Sequence, residues 1–297
     1  PGMEFDEEKI ISSTGALSLE KLPKKMVVVG GGYIGLEMGS VWSRLGTEVE
    51  VVEFLDHITP GMDREISSEF MKILKKQGIK FKLNTKIEKI TKNENGVILE
   101  VIDKENKKNN IEADVVLISV GRRPYTTGLK LGNVGVKTDE KGKVKVDKNF
   151  ETNIKGIYAI GDVASPPWLA HKASHEGIAV AEQIAGFKVH PIDKEKIPAC
   201  TYCDPEVASI GLTEKEADKK GFQFKVGTFP FSANGKALAM GYEEGFIKTI
   251  IDKNTGEFLG VHMVGMGVTE LIHNYALAKE AEIIQENIEN TIFPHPT

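Results

Sequence analysis

Cysteine is scarce in this chain of 297 residues, which contains only Cys200 and Cys203. Two cysteines cannot form the disulfide framework of a small secreted protein, and so few in a chain of this length indicate a reducing compartment. No apolar run approaches the roughly 20 residues that a membrane-spanning helix needs, and no signal peptide is visible. We therefore expect no membrane partner.

Basic residues are outnumbered by acidic ones, 38 to 43. The formal net charge is −5, which argues against nucleic acid as the main partner. A hydrophobic content of 40% and a charged content of 27% are typical of a soluble globular protein. The chain is long enough for two domains, each with its own hydrophobic core.

A glycine-rich motif in residues 24–53 is the strongest functional signal. An apolar run, residues 26–29, leads into Gly30-x-Gly32-x-x-Gly35. In such a motif the first glycine allows a sharp strand-to-helix turn, the second lets a pyrophosphate approach the backbone, and the third lets helix and strand pack closely. Free amides and the positive end of the helix dipole then face the phosphates. The motif predicts a dinucleotide site.

The flanking residues support that prediction and select the nucleotide. Apolar residues recur at helical spacing after the glycines, as a helix lying on a sheet requires. Glu53 ends the next apolar run, where a carboxylate can accept hydrogen bonds from the adenosine ribose. Its charge would repel a 2′-phosphate, and residues 54–57 contain no arginine to hold one, so NAD is favoured over NADP. The alternative is a glycine-rich turn in a fold that binds no nucleotide.

The remaining patterns predict an α/β chain with a Rossmann-like NAD-binding domain over residues 23–123. An antiparallel insert interrupts this domain, with a solvated hairpin tip at 103–110 and a single strand over 111–120. A central segment, 124–187, contains short strands at 144–146 and 156–161 and a helix over 170–185. From 188 onward, strands and helices alternate as in an α+β domain on an antiparallel sheet. Residues 1–22 are a remnant or linker.

A second candidate site follows the predicted strand at 156–161. Asp162 stands just beyond Gly161, where an acid can hydrogen-bond a polyol and a glycine permits close approach. Taken alone, the same residues could form a simple strand–turn junction.

Several stretches together resemble one known family. GIYAIGDV (156–163), followed by WLAHKA (168–173), is similar to the flavin-contacting segment of the two-dinucleotide-binding flavoprotein disulfide reductases. ISSTGALSL (11–19), GRRP (121–124), PEVASIGLTE (205–214) and PHPT (294–297) are most similar to the dihydrolipoamide-oxidising branch of that family. The resemblance runs along nearly the whole chain but covers only the carboxyl two-thirds of such an enzyme, so we expect a fragment.

The resemblance implies two cofactor sites, for NAD and for FAD. The NAD loop would consist of Gly30, Gly31, Gly32, Tyr33, Ile34, Gly35, Leu36 and Glu37, with Glu53 on the adenosine ribose and Ile87 and Gly121 lining the site. In the family, the equivalent of Glu37 lies near the nicotinamide and pairs with a lysine that this chain lacks. For FAD, the resemblance implies Asp162 on the ribityl chain and Trp168, Leu169, Ala170 and His171 along the isoalloxazine edge. Trp168 departs from the methionine that is commoner there.

His295 matches the catalytic base of the family. A base is needed because a thiolate, not a thiol, attacks a disulfide, and imidazole can take the proton near neutral pH. In the family this histidine reaches across a two-fold interface to the partner's flavin and disulfide. From spacing alone, His295 would instead be a surface histidine in a proline-rich tail.

The implied reaction is oxidation of dihydrolipoamide through a redox disulfide and FAD, with reduction of NAD⁺. The implied partners are a second copy, bound through the carboxyl-terminal domain, and the lipoyl domains of 2-oxo acid dehydrogenase complexes, in the bacterial cytoplasm or the mitochondrial matrix. The chain contains neither the family's CxxxxC pair nor a second GxGxxG, so we expect little such activity from it alone. The alternatives are a glutathione or mercuric reductase type, or an inactive NAD-binding and dimerisation module.

The remaining cysteines and histidines are predicted to be structural, with no metal site. Cys200 and Cys203 lie in a strand-like run, where residues three apart point to opposite faces, so a bridge between them is geometrically awkward. No further ligands complete a zinc site. His171 and His175 lie one helical turn apart but lack accompanying carboxylates.

Overall fold

A computed structural model describes residues 3–297 and divides them into two compact units. The first comprises the described residues up to Val120 together with Pro198–Thr297, and the second comprises Gly121–Ile197. In chain order the elements are β1 (Ile10–Ile11), α1 (Ser13–Ala16), β2 (Lys25–Val29), α2 (Tyr33–Arg44), β3 (Glu48–Val52), α3 (Arg64–Lys76), β4 (Lys80–Lys82), β5 (Lys86–Asn93), β6 (Gly96–Ile102), β7 (Lys108–Ala113), β8 (Val115–Ile118), α4 (Ala170–Ile184), β9 (Ala199–Thr201), β10 (Glu206–Gly211), α5 (Glu214–Lys219), β11 (Phe224–Pro230), α6 (Gly235–Met240), β12 (Phe246–Asp252), β13 (Phe258–Gly265), α7 (Val268–Glu280) and α8 (Gln285–Asn290).

A parallel sheet forms the centre of the first unit. Its strand order is β1-β8-β2-β3-β4, and every neighbouring pair is parallel. All four residues of β8 and the last four of both β2 and β3 are buried, as expected for strands covered on both faces. The carboxyl ends of β2, β3 and β8 meet at one edge, which is where open α/β sheets bind ligands.

The antiparallel insert is present with shifted boundaries. β5, β6 and β7 form a separate three-stranded sheet. The strand predicted over 111–120 is two strands, because the chain breaks at Asp114, whose carboxylate accepts a hydrogen bond from the Lys25 amide at 2.9 Å. The predicted hairpin tip is also shorter, since β7 already begins at Lys108.

The carboxyl-terminal part of the first unit is built on a five-stranded antiparallel sheet. The strand order is β11-β12-β13-β10-β9, and β13 is buried along its whole length. Helix α7 packs on it, with Val268 and Ile272 in the same hydrophobic cluster as Val261 and Met263. The predicted α+β character is confirmed.

The second unit is mostly irregular apart from α4 and three 3₁₀ turns. The strands predicted at 144–146 and 156–161 are wrong, and in the second of them Gly156 and Gly161 have φ of 80° and 66° and cannot continue an extended chain. Isolated bridges, including Thr138 with Val144 and Glu151 with Tyr158, replace regular strands. None of the helices within residues 3–297 is long and apolar enough to cross a bilayer.

Candidate functional site

The corner between β2 and α2 has the geometry that its first glycine requires. Gly30 has φ of +105°, a conformation that side chains disfavour, and its amide donates to the carbonyl of Val52 at 2.9 Å. A Cβ at Gly30 would lie 2.9 Å from the carbonyl oxygen of Ser119. The chain therefore turns sharply between the ends of three parallel strands.

The second glycine leaves the corner open. A Cβ built on Gly32 would meet nothing within 4 Å. Gly32 is also the N-cap of α2 and supplies no side-chain hydrogen bond. The amides of the first helical turn thus face an open space with the positive end of the helix dipole behind them, which suits an anionic group.

The third glycine brings the helix against the strand. A Cβ on Gly35 would lie 2.4 Å from the carbonyl oxygen of Gly30, 2.5 Å from Oγ of Ser119 and 2.9 Å from a methyl carbon of Val28. Real side chains do not fit at such distances. Ser119, which sequence reasoning did not single out, also closes the corner by donating from Oγ to the carbonyl of Val29 at 2.8 Å.

Glu53 lies at the mouth of this corner. Its Oε2 accepts from the Gly31 amide at 2.6 Å, and its Oε1 accepts from the Leu55 amide at 2.8 Å. The residue is buried, with 8% of its surface exposed. Each carboxylate oxygen can accept a second hydrogen bond, so the group can still receive ribose hydroxyls.

One arginine contacts the segment that follows Glu53, through an ion pair with Asp56. Arg64 binds both oxygens of Asp56, at 3.0 and 2.8 Å, and these hydrogen bonds hold the pKa of Asp56 below its usual range. The guanidinium is thus engaged by a carboxylate and is not a free cation for a 2′-phosphate.

The other residues assigned to the NAD site are Ile87 and the α2 residues in the first unit and Gly121, which begins the second unit. Ile87, on β5, is half-buried against the cluster that contains Val29, Val52 and Ile118. Gly121 follows directly after Val120 and has φ of +86°, with no atom within 4 Å of an added Cβ. On α2, the side chain of Tyr33 is exposed and that of Leu36 is fully buried.

Glu37 projects from α2 toward the carboxyl-terminal part of the same unit. It accepts a hydrogen bond from the Tyr202 amide at 2.8 Å. Burial raises the pKa of Glu37, and that hydrogen bond opposes the rise.

The two cysteines are free thiols in different surroundings, Cys200 on β9 and Cys203 in the bend that follows this strand. Cys200 packs with the cluster of Val261 and Met263, whereas Cys203 packs with the cluster that contains Leu36. Burial raises the pKa of both thiols, that of Cys203 to about 12. A raised pKa leaves little thiolate at neutral pH, so neither thiol is activated, and a structural role for the two cysteines stays a prediction. Within residues 3–297 there is no group of three or more metal-ligating side chains.

The second unit contains the residues assigned to FAD. The Asp162 carboxylate pairs with Arg122, and the same guanidinium lies 5.5 Å from the centre of the Trp168 ring. The buried Trp168 Nε1 has no hydrogen-bond partner. Leu169 is the N-cap of α4, and Ala170 and the exposed His171 begin that helix.

A buried ion pair beneath this segment was not foreseen from the sequence. Lys172 and Glu176 are 2.9 Å apart with side chains 1% and 2% exposed. Glu176 also accepts from the Gly161 amide at 2.7 Å, and Lys172 donates to the carbonyl of Ser165 at 2.6 Å. The pair fixes the turn that carries Asp162. Its only sequence signal is the i,i+4 spacing of opposite charges.

His295 is exposed near the end of the first unit. The neighbouring backbone is held in place, since Thr297 donates from Oγ1 to the carbonyl of Pro294 at 2.8 Å and Asn234 donates to the carbonyl of Thr297 at 3.0 Å. The imidazole is thus presented at the surface of the chain.

The first unit combines a parallel sheet, a glycine corner with an acid at its mouth, and an antiparallel sheet. This combination is typical of dinucleotide-binding oxidoreductases. Comparison with known families agrees. Residues 1–177 match the model of the pyridine nucleotide-disulphide oxidoreductases, and residues 197–297 match the dimerisation domain of the same family. The chain therefore belongs to the pyridine nucleotide-disulphide oxidoreductase family.

Within this family, the chain is similar to several dihydrolipoyl dehydrogenases and to a leghemoglobin reductase. The chain is 49% identical to the mitochondrial dihydrolipoyl dehydrogenase of Pisum sativum and 48% identical to that of Caenorhabditis elegans, covering 100% of this chain and 59% and 60% of those proteins. It is 48% identical to leghemoglobin reductase of Glycine max, of which it covers 57%. The chain thus spans about three-fifths of the length of these relatives.

Solved structures of related proteins share the fold. LpdA from Mycobacterium tuberculosis superimposes with a TM-score of 0.91 at 26% identity, over 100% of this chain and 64% of that one. The HOCl-induced flavoprotein disulfide reductase RclA from Escherichia coli gives 0.92 at 29% identity, over 100% and 67%. The predicted fold class and family are confirmed.

Proposed function

We propose that this chain supplies the NAD site, part of the FAD site and the dimerisation domain of a dihydrolipoamide dehydrogenase, which oxidises dihydrolipoamide and reduces NAD⁺. The observation that carries the proposal is the 2.6 Å hydrogen bond from the Gly31 amide to Glu53, which joins the glycine corner to its acid. A pyrophosphate would lie over Gly32 and the first turn of α2, and the adenosine ribose would meet Glu53. The identity of about 49% to dihydrolipoyl dehydrogenases supports this choice of substrate.

The second unit fits an extended flavin. Trp168 presents a buried N–H without a partner, and the Asp162 carboxylate is partly exposed beside it. Asp162 would receive the ribityl hydroxyls while shared with Arg122, and residues 168–171 would follow the ring edge. Bound FAD supplies two-electron transfer between a dithiol and the nicotinamide. The pairing of Lys172 with Glu176 would keep Asp162 in position during that transfer.

His295 would act as the base that takes a proton from the dithiol. An imidazole suits this step because it exchanges protons near neutral pH. Its exposed position on this chain is compatible with a target on a second copy, and the match of residues 197–297 to a dimerisation domain supports a homodimer. The lipoyl domains of 2-oxo acid dehydrogenase complexes would deliver the substrate, in the mitochondrial matrix or the bacterial cytoplasm.

Calorimetric titration of the purified 297-residue chain with NADH and NADPH tests the core of this proposal. We expect NADH to bind and NADPH to bind much more weakly, with no dihydrolipoamide-dependent NADH formation because the chain contains no CxxxxC pair. The family resemblance implies that the amino-terminal segment of the pea relative would supply that pair, and we expect a fusion to this segment to produce turnover with NAD⁺.

Two results would contradict the proposal. If the folded chain binds no NADH, the proposed dinucleotide site is excluded. A fused protein that binds FAD and NADH but oxidises no dihydrolipoamide would favour a glutathione or mercuric reductase type if it accepts those substrates, and a pure binding and dimerisation module if it does not.

A further inference from the structure

A buried lysine joins the carboxyl-terminal sheet to the amino end of α3. Lys248 lies on β12 with 1% of its side chain exposed, and its Nζ is 3.1 Å from both carboxylate oxygens of Asp63 and 2.9 Å from Glu65. Glu214, at the start of α5, also contacts it. Burial disfavours the ammonium, but the hydrogen bonds to these carboxylates outweigh that effect and raise the pKa of Lys248, so the group stays charged.

Asp63 is the N-cap of α3. Its side chain accepts from the Glu65 amide at 3.0 Å, and its carbonyl accepts from the Ser67 amide at 3.0 Å. A buried carboxylate needs a partner, and Lys248 provides it from a different part of the chain. The lysine therefore fixes where the helix starts, and with it the end of the preceding segment. We call that segment, residues 54–62, the brace loop.

The brace loop is strained where it meets the glycine corner. Thr59 has φ of +47°, which is a genuine outlier for a β-branched residue. Two contacts hold it in that conformation. Its amide donates to the carbonyl of Gly31 at 2.7 Å, and its Oγ1 is 2.6 Å from Oγ of Ser67 in the first turn of α3.

Gly31 is consequently held on two sides. Thr59 binds its carbonyl, Glu53 binds its amide, and a Cβ on Gly31 would lie 3.1 Å from a methyl carbon of the fully buried Ile58. A continuous series of contacts runs from Lys248 through the start of α3 and Thr59 to the corner.

We propose that Lys248 and Thr59 are positioning residues for NAD: Lys248 anchors the brace loop, and Thr59 transmits that anchorage to Gly31. This inference rests on the proposed NAD site. Strain at Thr59 persists only while the surrounding contacts hold it, so loss of Lys248 would release the loop and let Gly31 and Glu53 move. The carboxyl-terminal sheet thus contributes to coenzyme affinity without touching the coenzyme.

The test compares Lys248→Met with a double variant and a matched control. Lys248→Met leaves Asp63 buried and unpaired, which can impair folding, so Asp63→Asn/Lys248→Met removes both charges and keeps a good N-cap. The control is Lys76→Met, because Lys76 also joins α3 to the carboxyl-terminal part, through an exposed 3.0 Å pair with Glu244. For each, the NADH dissociation constant and hydrogen exchange of the apo chain are measured.

We expect Kd for NADH to rise about tenfold in both Lys248 variants and to stay unchanged in Lys76→Met. Exchange should accelerate in residues 54–67 but not in β6 and β7, whereas a general loss of stability would accelerate it in both regions. A folded double variant with unaltered Kd and unaltered exchange would overturn the proposal. If the wild-type chain does not bind NADH, the NAD site itself fails, whereas the exchange data still decide whether Lys248 anchors the loop.

Discussion

Glu53 and Gly31 are joined by a 2.6 Å hydrogen bond between carboxylate Oε2 and backbone amide. The contact links the end of β3 to the glycine corner after β2. It means that the acid expected to bind the ribose also orders the loop expected to bind the pyrophosphate.

Replacing Glu53 with glutamine should therefore weaken NADH binding. The amide side chain has one acceptor oxygen, while the Gly31 and Leu55 amides both need an acceptor, and an unsatisfied buried donor costs about 1–3 kcal/mol. We expect Kd for NADH to rise about tenfold or more, and the preference over NADPH to narrow because the repelling charge is gone. Calorimetry measures both. Glu48→Gln, at the exposed start of the same strand, is the control, and equal affinities in the two variants would exclude this role for Glu53.

Alanine substitutions of Gly32 and Gly35 should have different effects, the first mainly on NADH affinity and the second mainly on the free energy of unfolding. Gly35→Ala places a Cβ 2.4 Å from a backbone oxygen, so we expect a loss of about 1–3 kcal/mol in the free energy of unfolding. Gly32→Ala meets no atom within 4 Å and should cost less than about 1 kcal/mol, yet weaken NADH binding at least tenfold by occupying the phosphate position. Urea denaturation and calorimetry give the two quantities. A stable Gly35→Ala or a tightly binding Gly32→Ala would contradict this assignment.

The two cysteines should be slow to react. Because burial raises the pKa of Cys203 to about 12 and also raises that of Cys200, little thiolate forms in the folded chain at pH 8. We expect modification by a chromogenic disulfide reagent to be much slower in the native protein than in urea. Cys200→Ser/Cys203→Ser should still bind NADH with wild-type affinity. Rapid native modification would show that one thiol is accessible and activated.

His262 should make the protein less stable in mild acid. Burial lowers its pKa, an effect that the hydrogen bond of Nε2 with the Leu212 carbonyl at 2.9 Å opposes. Below the ordinary value of 6.5 the unfolded chain binds a proton that the folded chain resists, so stability is lost as pH falls from there toward the lower folded pKa. Comparing unfolding free energies of wild type and His262→Gln between pH 7.5 and 5.5 isolates this group. We expect the unfolding free energy of the wild type, relative to that of His262→Gln, to fall by up to about 1.4 kcal/mol per pH unit as the pH decreases. A difference between the two proteins that does not change with pH would refute the effect.

The roles of the three glycines in the corner could be predicted from the sequence because they are local, whereas Ser119, which also closes the corner, could not. Gly30, Gly32 and Gly35 act through φ, open space and close packing, and each requirement depends on residues that adjoin in the chain or on the neighbouring strand. The family resemblance added the assignments of residues 162–171 and His295, which remain predictions of role.

The contacts that hold the corner could not be predicted, because they join distant parts of the chain. Lys248 meets Asp63 across 185 positions, and no pattern in either segment indicates the other. Thr59 gave no signal, because a threonine with positive φ is disfavoured and appears only where tertiary contacts impose it. The strand predicted at 156–161 does not form, because glycines with left-handed φ stand at both of its ends and the sequence does not reveal their conformation.

A crystal structure of the chain crystallised with NADH tests most directly the claim that the glycine corner and Glu53 bind the coenzyme. We expect the pyrophosphate over Gly32 and the first amides of α2, and the adenosine ribose hydroxyls on Glu53, with the Gly31 contact retained. A nucleotide bound elsewhere, or well-ordered crystals in saturating NADH with an unchanged empty corner, would contradict the account.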